Sequence, residues 1–286
     1  MKALSRRRFF EQAIGTSAAG AVLTSGPSLI GRAAASTHSL DSLALQGVNY
    51  FLRRNETQIQ LVAQLRTAID SRDLHAARQA YIDARPPYEE IETLAANFED
   101  SDADIDARPY AFDGGETSPD FRGFHKIEYF LFRDDDLDAA AVFAENLAAS
   151  HAKLHRELQE AERYGAASSF EGMIGLAEEI GSKKISSEEE TWSDQSVLIF
   201  LSNIIGIQSQ YRPFAETVAA ADGARDEAVQ SAFTAFRALL EPHQIGPGAA
   251  MTPYSQVRIA ERKLFSDATY RYRDALIAAA ETIRVI

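Results

Sequence analysis

Residues 42–70 read SLALQGVNYFLRRNETQIQLVAQLRTAID, and their pattern decides the fold class. Leu43, Leu45, Val48, Phe51, Leu52, Ile59, Leu61, Val62, Leu65 and Ile69 recur mostly at three- and four-residue steps, the spacing of one face of an α-helix. The same periodicity continues down the chain. A second helix is expected over 74–97, interrupted at Arg85-Pro86-Pro87, because proline lacks the amide donor and crowds the preceding turn. Tyr88 then starts a fresh helical turn. Residues 98–120 are acidic and punctuated by Pro109, Gly114, Gly115 and Pro119, which predicts a long loop before an apolar helix over 121–132.

Asp134, Asp135 and Asp136 precede a helix expected over 137–163, where carboxylates accept from free amides and complement the positive helix end. Four more helices follow, at about 168–181, 187–218, 223–243 and 254–284, separated by Ser182-Lys183, Asp222-Gly223 and Gly246-Pro247-Gly248. No alternating strand pattern competes. Each amphipathic helix needs a partner for its apolar stripe, so an all-α architecture of two side-by-side four-helix bundles is expected, 36–165 and 166–286, divided near Gly165. The halves share no sequence repeat.

Composition agrees and excludes several functions. Hydrophobic residues make up 45% of 286, enough for a substantial core. With no cysteine, disulfides, thiolate metal sites and cysteine nucleophiles are ruled out, and any metal must sit on oxygen and nitrogen ligands. The formal charge is −13, a surface that repels nucleic acid and serves chiefly solubility.

The first 35 residues read as an address. Ser5-Arg6-Arg7-Arg8-Phe9-Phe10 is followed by an uncharged stretch over 12–31, diluted by Gly15, Gly20, Gly26 and Pro27, then by Ala33-Ala34-Ala35. This looks like a twin-arginine signal peptide cleaved before Ser36, and the stretch is too weak for a membrane span. Its loss removes five basic residues and one acidic one and leaves −17 on the mature chain. The expected location is periplasmic, with no stable membrane span after cleavage, and the twin-arginine route implies export after folding.

Chemistry concentrates in two helical segments. His125 and Glu128, three apart, lie on one helix face and can converge on one ion, and Glu89 and Glu92 form a second such pair beside Glu90 after the proline break. Like charges so placed repel unless a cation neutralises them, although a solvated acidic face is the plain alternative. The segment from Asp100 lacks the glycine and the terminal glutamate of an EF-hand loop, with Ala111 in the last position. His151 and His155, four apart on the 137–163 helix, have no evident acidic third ligand and are read as an exposed, inert pair.

Three segments, Ala84-Arg85-Pro86-Pro87-Tyr88-Glu89-Glu90-Ile91-Glu92, Asp104-Ile105-Asp106-Ala107-Arg108 and Gly123-Phe124-His125-Lys126-Ile127-Glu128, resemble the imelysin/EfeO-like family in order and spacing. A fourth, Lys184-Ile185-Ser186-Ser187-Glu188-Glu189-Glu190-Thr191-Trp192-Ser193, resembles that family's Lys-Ile-x-Gly-Glu-Glu stretch, so the likeness covers nearly all of 40–286. Tyr88 replaces the usual Trp and Ser187 the usual Gly, which leaves the acidic register after Ser187 open. The resemblance implies a bilobal helical fold with a metal and ligand cleft between lobes, in proteins of periplasmic iron uptake that work with iron permease and peroxidase-type components. The passage from address directly into helices resembles the shorter EfeM-like members without a cupredoxin domain.

Carried over position by position, the implied metal ligands are His125, Glu128, Glu89, Glu92, Asp106 and Glu188, with Glu189 the alternative to Glu188. Such a carboxylate-rich set with one imidazole suits Fe(III), Fe(II), Mn or Ca, while Zn and Cu are open through the histidine. No catalytic residue is expected. Two other functions stay in view: a zinc metallopeptidase, which the missing His-Glu-x-x-His disfavours, and a binder of an anionic polysaccharide or metal chelate, for which Arg85, Arg108 and Arg122 would clamp carboxylates.

Overall fold

Helix α1, Leu29–Asp70, runs 42 residues, a rod of about 60 Å. In this computed structural model the described residues are 29–187 and 189–286, with side chains described from residue 40 onward except at 187. The address over 1–28 and Glu188 therefore lie outside the described residues. Along α1 the buried side chains, apart from Gly47, are Ala44, Val48, Phe51, Asn55, Gln58, Val62, Leu65 and Ile69, alternating steps of four and three that keep one stripe facing inward.

After Asp73, whose carboxylate accepts the Ala76 amide at 3.0 Å, come α2 (Leu74–Ala84) and α3 (Pro86–Ile91), broken at Arg85 where the two prolines predict it. A 3-10 segment, Glu92–Asn97, continues α3. The expected loop over 98–120 is corrected in its first third. Residues Glu99–Asp106 form α4, with Glu99, Asp100 and Asp102 in its first turn, where acids complement the helix dipole, and with Ser101 and Ile105 buried. Two short 3-10 turns, Pro109–Ala111 and Gly115–Thr117, occupy the remainder.

Helix α5 is shorter than the 121–132 segment expected, spanning Phe124–Glu128 before a π-helical turn, Tyr129–Asp134. Gly123 sets its start: its φ is +83°, and a Cβ there would stand 2.3 Å from the Ile105 carbonyl oxygen. Only glycine lets the start of α5 lie directly on the end of α4. Asp136 caps α6 (Leu137–Glu157), accepting the Ala139 amide at 2.9 Å. Beyond it lie α7 (Ala166–Glu179), a π-helical turn (Ile180–Lys184), a helical turn (Ile185–Ser187), α8 (Ser196–Tyr211), α9 (Ala215–Ala221), α10 (Gly223–Leu240) and α11 (Ile259–Ile283). The expected helix over 187–218 does not start at 187: residues 189–195 form an irregular turn, with Asp194 at φ +61°. Among the described residues there is no β-strand, only an isolated bridge between Gln244 and Met251.

The buried apolar side chains form two cores. One draws on Val48 to Ile69 of α1 with residues up to Tyr164, and the other on Ala44 and residues from Ala166 to Ala280. Helix α1 serves both. Helix α8 is buried nearly all round, as a central helix must be, and lies against α3. Two glycines permit that approach. A Cβ on Gly206 of α8 would stand 2.1 Å from the Glu90 carbonyl oxygen, and one on Gly172 of α7 would stand 2.1 Å from that of Thr93. The backbone of α3, which carries Glu89, and of the 3-10 segment after it is thus pressed against helices of the other core.

Candidate metal centre

Where the two cores meet, charged side chains are buried together. Glu89, Glu92, Asp106, Glu128, Glu189 and Glu190 are each at most 4% exposed, as are Arg85, Lys184 and His125. The mostly buried Arg108 completes the set. Six carboxylates thus face three permanent cations and one imidazole.

Arg85, held at the α2–α3 break and fully buried, is the hub. Its Nε donates to Glu190 Oε1 at 2.7 Å, its Nη2 lies 2.9 Å from Asp106 Oδ1, and it pairs with Glu89 one turn along. Its guanidinium stands 4.6 Å from the centroid of the Phe124 ring. Lys184 serves the other side, donating to Glu92 Oε2 at 2.8 Å and lying 2.7 Å from Glu189 Oε1. Asn203 of α8 bridges Glu89 and Glu92, at 3.1 and 2.9 Å. Arg108 Nη1 donates to Asp106 Oδ2 at 2.8 Å and the same guanidinium contacts Glu189.

Glu128 is anchored by the 189–195 turn. Its Oε1 accepts the Trp192 and Ser193 amides, both at 2.8 Å, while its Oε2 lies 3.0 Å from His125 Nδ1. The irregular 189–195 turn owes its shape partly to this carboxylate. Glu190 accepts from Tyr81 Oη at 3.0 Å and from Ser193 Oγ at 2.7 Å.

The electrostatics divide the acids. Burial opposes the charge on Asp106, yet Arg108 and Arg85 hold it well below the ordinary carboxylate range. Burial likewise opposes the charge on Glu128, and the His125 hydrogen bond with the two amides brings it below its usual value. Desolvation wins at the other two: Glu89 is pushed up to about 7 despite Arg85, and Glu190 is raised by burial and then by the nearby Glu128. Burial and Arg108 work against a charged His125, but its hydrogen bonds to Asp106 and Glu128 lift it above the ordinary imidazole.

The fit to an ion can be tested on these atoms. His125 Nε2 faces Asp106 Oδ1 at 3.4 Å, and its other ring nitrogen, Nδ1, faces Glu128 Oε2 at 3.0 Å, all four atoms within the buried cluster. Two ligands each about 2.0–2.2 Å from one ion stand roughly 3 Å apart, close to the 3.0 Å between His125 Nδ1 and Glu128 Oε2. Among the described residues, His125, Glu128 and Glu190 are the one set whose ligand atoms lie within 4.8 Å of one another. The chemistry of the set, oxygen-rich with one imidazole, fits a hard cation.

The structure therefore brings His125, Glu128, Glu89, Glu92 and Asp106 into one cluster. It adds Glu189 and Glu190 from the second core, with Glu188 outside the described residues. Sequence reasoning missed Glu190 as a site member and missed Asn203 altogether. Reading His151 as exposed is also corrected: it is fully buried between the Tyr88 and Phe124 rings, 5.9 and 5.7 Å between centroids, and desolvation lowers it to about 3. His155 lies nearer the surface, 3.2 Å from Asn55 Oδ1. Arg122 pairs with Asp104 and not with the cluster.

The sequence pattern of imelysin, labelled peptidase M75, matches residues 49–279. The chain belongs to the imelysin family. It is 34% identical over 173 residues to the iron uptake system component EfeO of Yersinia pseudotuberculosis, covering 59% of this chain and 46% of that protein. To EfeO of Escherichia coli (strain K12) it is 33% identical over 141 residues, covering 49% of this chain and 37% of that protein. The matches thus span less than half the length of these relatives. In fold it is similar to the crystal structure of an iron-regulated protein A precursor from Parabacteroides distasonis, with a TM-score of 0.67 at 14% identity, covering 85% of this chain and 95% of that one. Among the described residues, no helix of this imelysin-family chain is long and apolar enough to cross a membrane.

Proposed function

We propose that this protein is a periplasmic iron-binding component of an iron uptake system, exported by the twin-arginine route and working with permease and peroxidase-type components. One observation carries the reading: a buried cluster in which six carboxylates outnumber the side chains of Arg85, Arg108 and Lys184, with ligand atoms of His125, Glu128 and Glu190 within 4.8 Å of one another. Buried charge without compensation is costly, and a bound multivalent cation would supply the compensation that protons on Glu89 and Glu190 otherwise provide. The EfeO relatives, named as iron uptake components, support iron as the cargo.

In this reading His125, Glu128 and Glu190 hold the ion, while Asp106, paired with Arg85 and Arg108, faces the opposite ring nitrogen of His125 and orients it. Glu89 and Glu92 stand behind them on Arg85, Lys184 and Asn203 and tune the charge, while Glu188 stays a second-lobe ligand to be compared with Glu190. Two lobes, 36–165 and 166–286, each contribute ligands. The protonated share of Glu89 and Glu190 leaves as the cation enters, so uptake of iron releases protons.

The test is metal content and competitive binding of the folded mature protein with Fe(III), Fe(II), Zn, Cu and Ca, wild type against His125→Ala and Glu128→Gln. Stoichiometric iron in the wild type, lost in both variants, is expected. Unchanged binding in the variants rejects the site, and a preference for zinc or calcium rejects iron as the cargo.

A further inference from the structure

Outside the buried cluster, α1, α8 and α10 enclose an open groove of about 770 Å³, within the range of small-molecule sites. Its lining reverses the charge of the molecule. Arg53 of α1, Arg212 at the end of α8 and Arg237 of α10 all face it, against the single carboxylate of Glu216, on a chain whose formal charge is −13. Arg237 shares Glu241 one turn along, at 2.6 Å. Arg53 stands over the Tyr50 ring at 6.0 Å, and among the described residues neither Arg53 nor Arg212 pairs with a carboxylate.

Two of these exposed guanidiniums, Arg53 and Arg212, thus line one concavity with no carboxylate partner among the described residues, on a chain with an excess of acids. The walls are fixed by bonds of their own. Tyr50 donates to Glu90, and Gln208 is held between Gln230 Oε1 at 2.7 Å and the Tyr272 hydroxyl at 2.9 Å. Leu43, Ile205 and Phe233 add apolar surface between the charges. Guanidinium forks match carboxylates in bidentate geometry, and an apolar lining favours a carbon skeleton over a bare inorganic anion.

We propose that this groove binds a small organic polycarboxylate. The site is separate from the buried cluster and does not rest on iron binding, because its cations are its own.

The experiment uses the metal-free mature protein, titrated calorimetrically with tricarballylate, a tricarboxylate lacking the hydroxyl through which citrate chelates iron. Inorganic phosphate is run in parallel at constant ionic strength. Saturable binding of tricarballylate is expected, weakened at least tenfold in Arg53→Gln/Arg212→Gln. Both positions are exposed, so the variant should melt with the wild type, and its iron titration should be unchanged. Gln46→Glu, which adds a carboxylate at the groove's lip, provides a second variant expected to weaken binding. Absence of binding at 10 mM, binding indifferent to both variants, or phosphate bound as tightly as tricarballylate would each overturn the proposal.

Discussion

Replacing Arg85 with methionine would expose how the buried cluster is balanced. The side chain is fully buried and contacts three carboxylates, with Nε 2.7 Å from Glu190, Nη2 2.9 Å from Asp106 and a further pairing to Glu89. Methionine roughly conserves the volume against Phe124, so the change removes charge more than packing. Removing one partner of a buried ion pair costs about 3–5 kcal/mol, because the other charge is left without compensation. In a domain of this size each kcal/mol moves the melting temperature by about 2–4 °C, so a fall of about 6–20 °C is expected for the metal-free protein at pH 8.

Two features separate this reasoning from general damage to the core. The loss should shrink at pH 5, where Glu89 and Glu190, both raised already by burial, take up protons and no longer need the guanidinium. Added Fe(III) or Ca should also raise the melting temperature of Arg85→Met more than that of the wild type, since the freed carboxylates can take a cation instead. Thermal melts of metal-free protein at both pH values, with and without the ions, measure all three effects. A variant melting within about 2 °C of the wild type at pH 8 would refute the account, since even the smallest expected loss is larger. An equal loss at pH 5 and pH 8 would refute it as well.

Other consequences follow from the same cluster. Glu89 keeps its proton in the folded state up to about pH 7 but loses it near 4.5 when unfolded, so metal-free stability should fall as pH rises through that window, by up to about 3 kcal/mol. His125, also raised, adds in the same direction above its ordinary value, and urea titrations from pH 5 to 8 should show the decline, flattened in Glu89→Gln. Gly206→Ala would drive a Cβ to 2.1 Å from the Glu90 carbonyl oxygen, so chemical denaturation should show a loss of about 1–3 kcal/mol together with weaker iron binding as α3 shifts. Comparison of Glu190→Gln with Glu188→Gln in iron titrations should weaken binding at least tenfold in the former and less in the latter; the reverse order would move the second-lobe ligand to Glu188.

The helices were legible because their apolar spacing is local: α1 shows its stripe without help from the rest of the chain. What that spacing hid were Asn55 and Gln58, polar residues at buried positions of the stripe, where tertiary packing overrides residue type. The segment 98–120 read as loop because acids, glycines and prolines dominate it. Within it α4 is secured by distant partners, Ser101 bonding Glu157 and Tyr88 bonding Asp102 at 2.6 Å, which no window of sequence displays. The turn over 189–195 is the same case. Its residues are compatible with helix, and it departs from helix where the Glu128 carboxylate, more than sixty positions earlier, captures the Trp192 and Ser193 amides.

That capture explains how much of the site could be read in advance. The acids were visible as pairs three apart, on helices whose faces the sequence defines. The arrangement that makes them a site was not visible, because it depends on contacts between the two cores: Asn203 to Glu89 and Glu92, Lys184 to Glu92, Arg85 to Glu190, Glu128 to the 189–195 turn. These contacts close only if α8 lies on the backbone of α3 and α7 on the 3-10 segment that continues it, which Gly206 and Gly172 allow. The buried acids therefore couple ion binding to the docking of one core on the other: weakening either must weaken both, since the same carboxylates serve the ion and the interface.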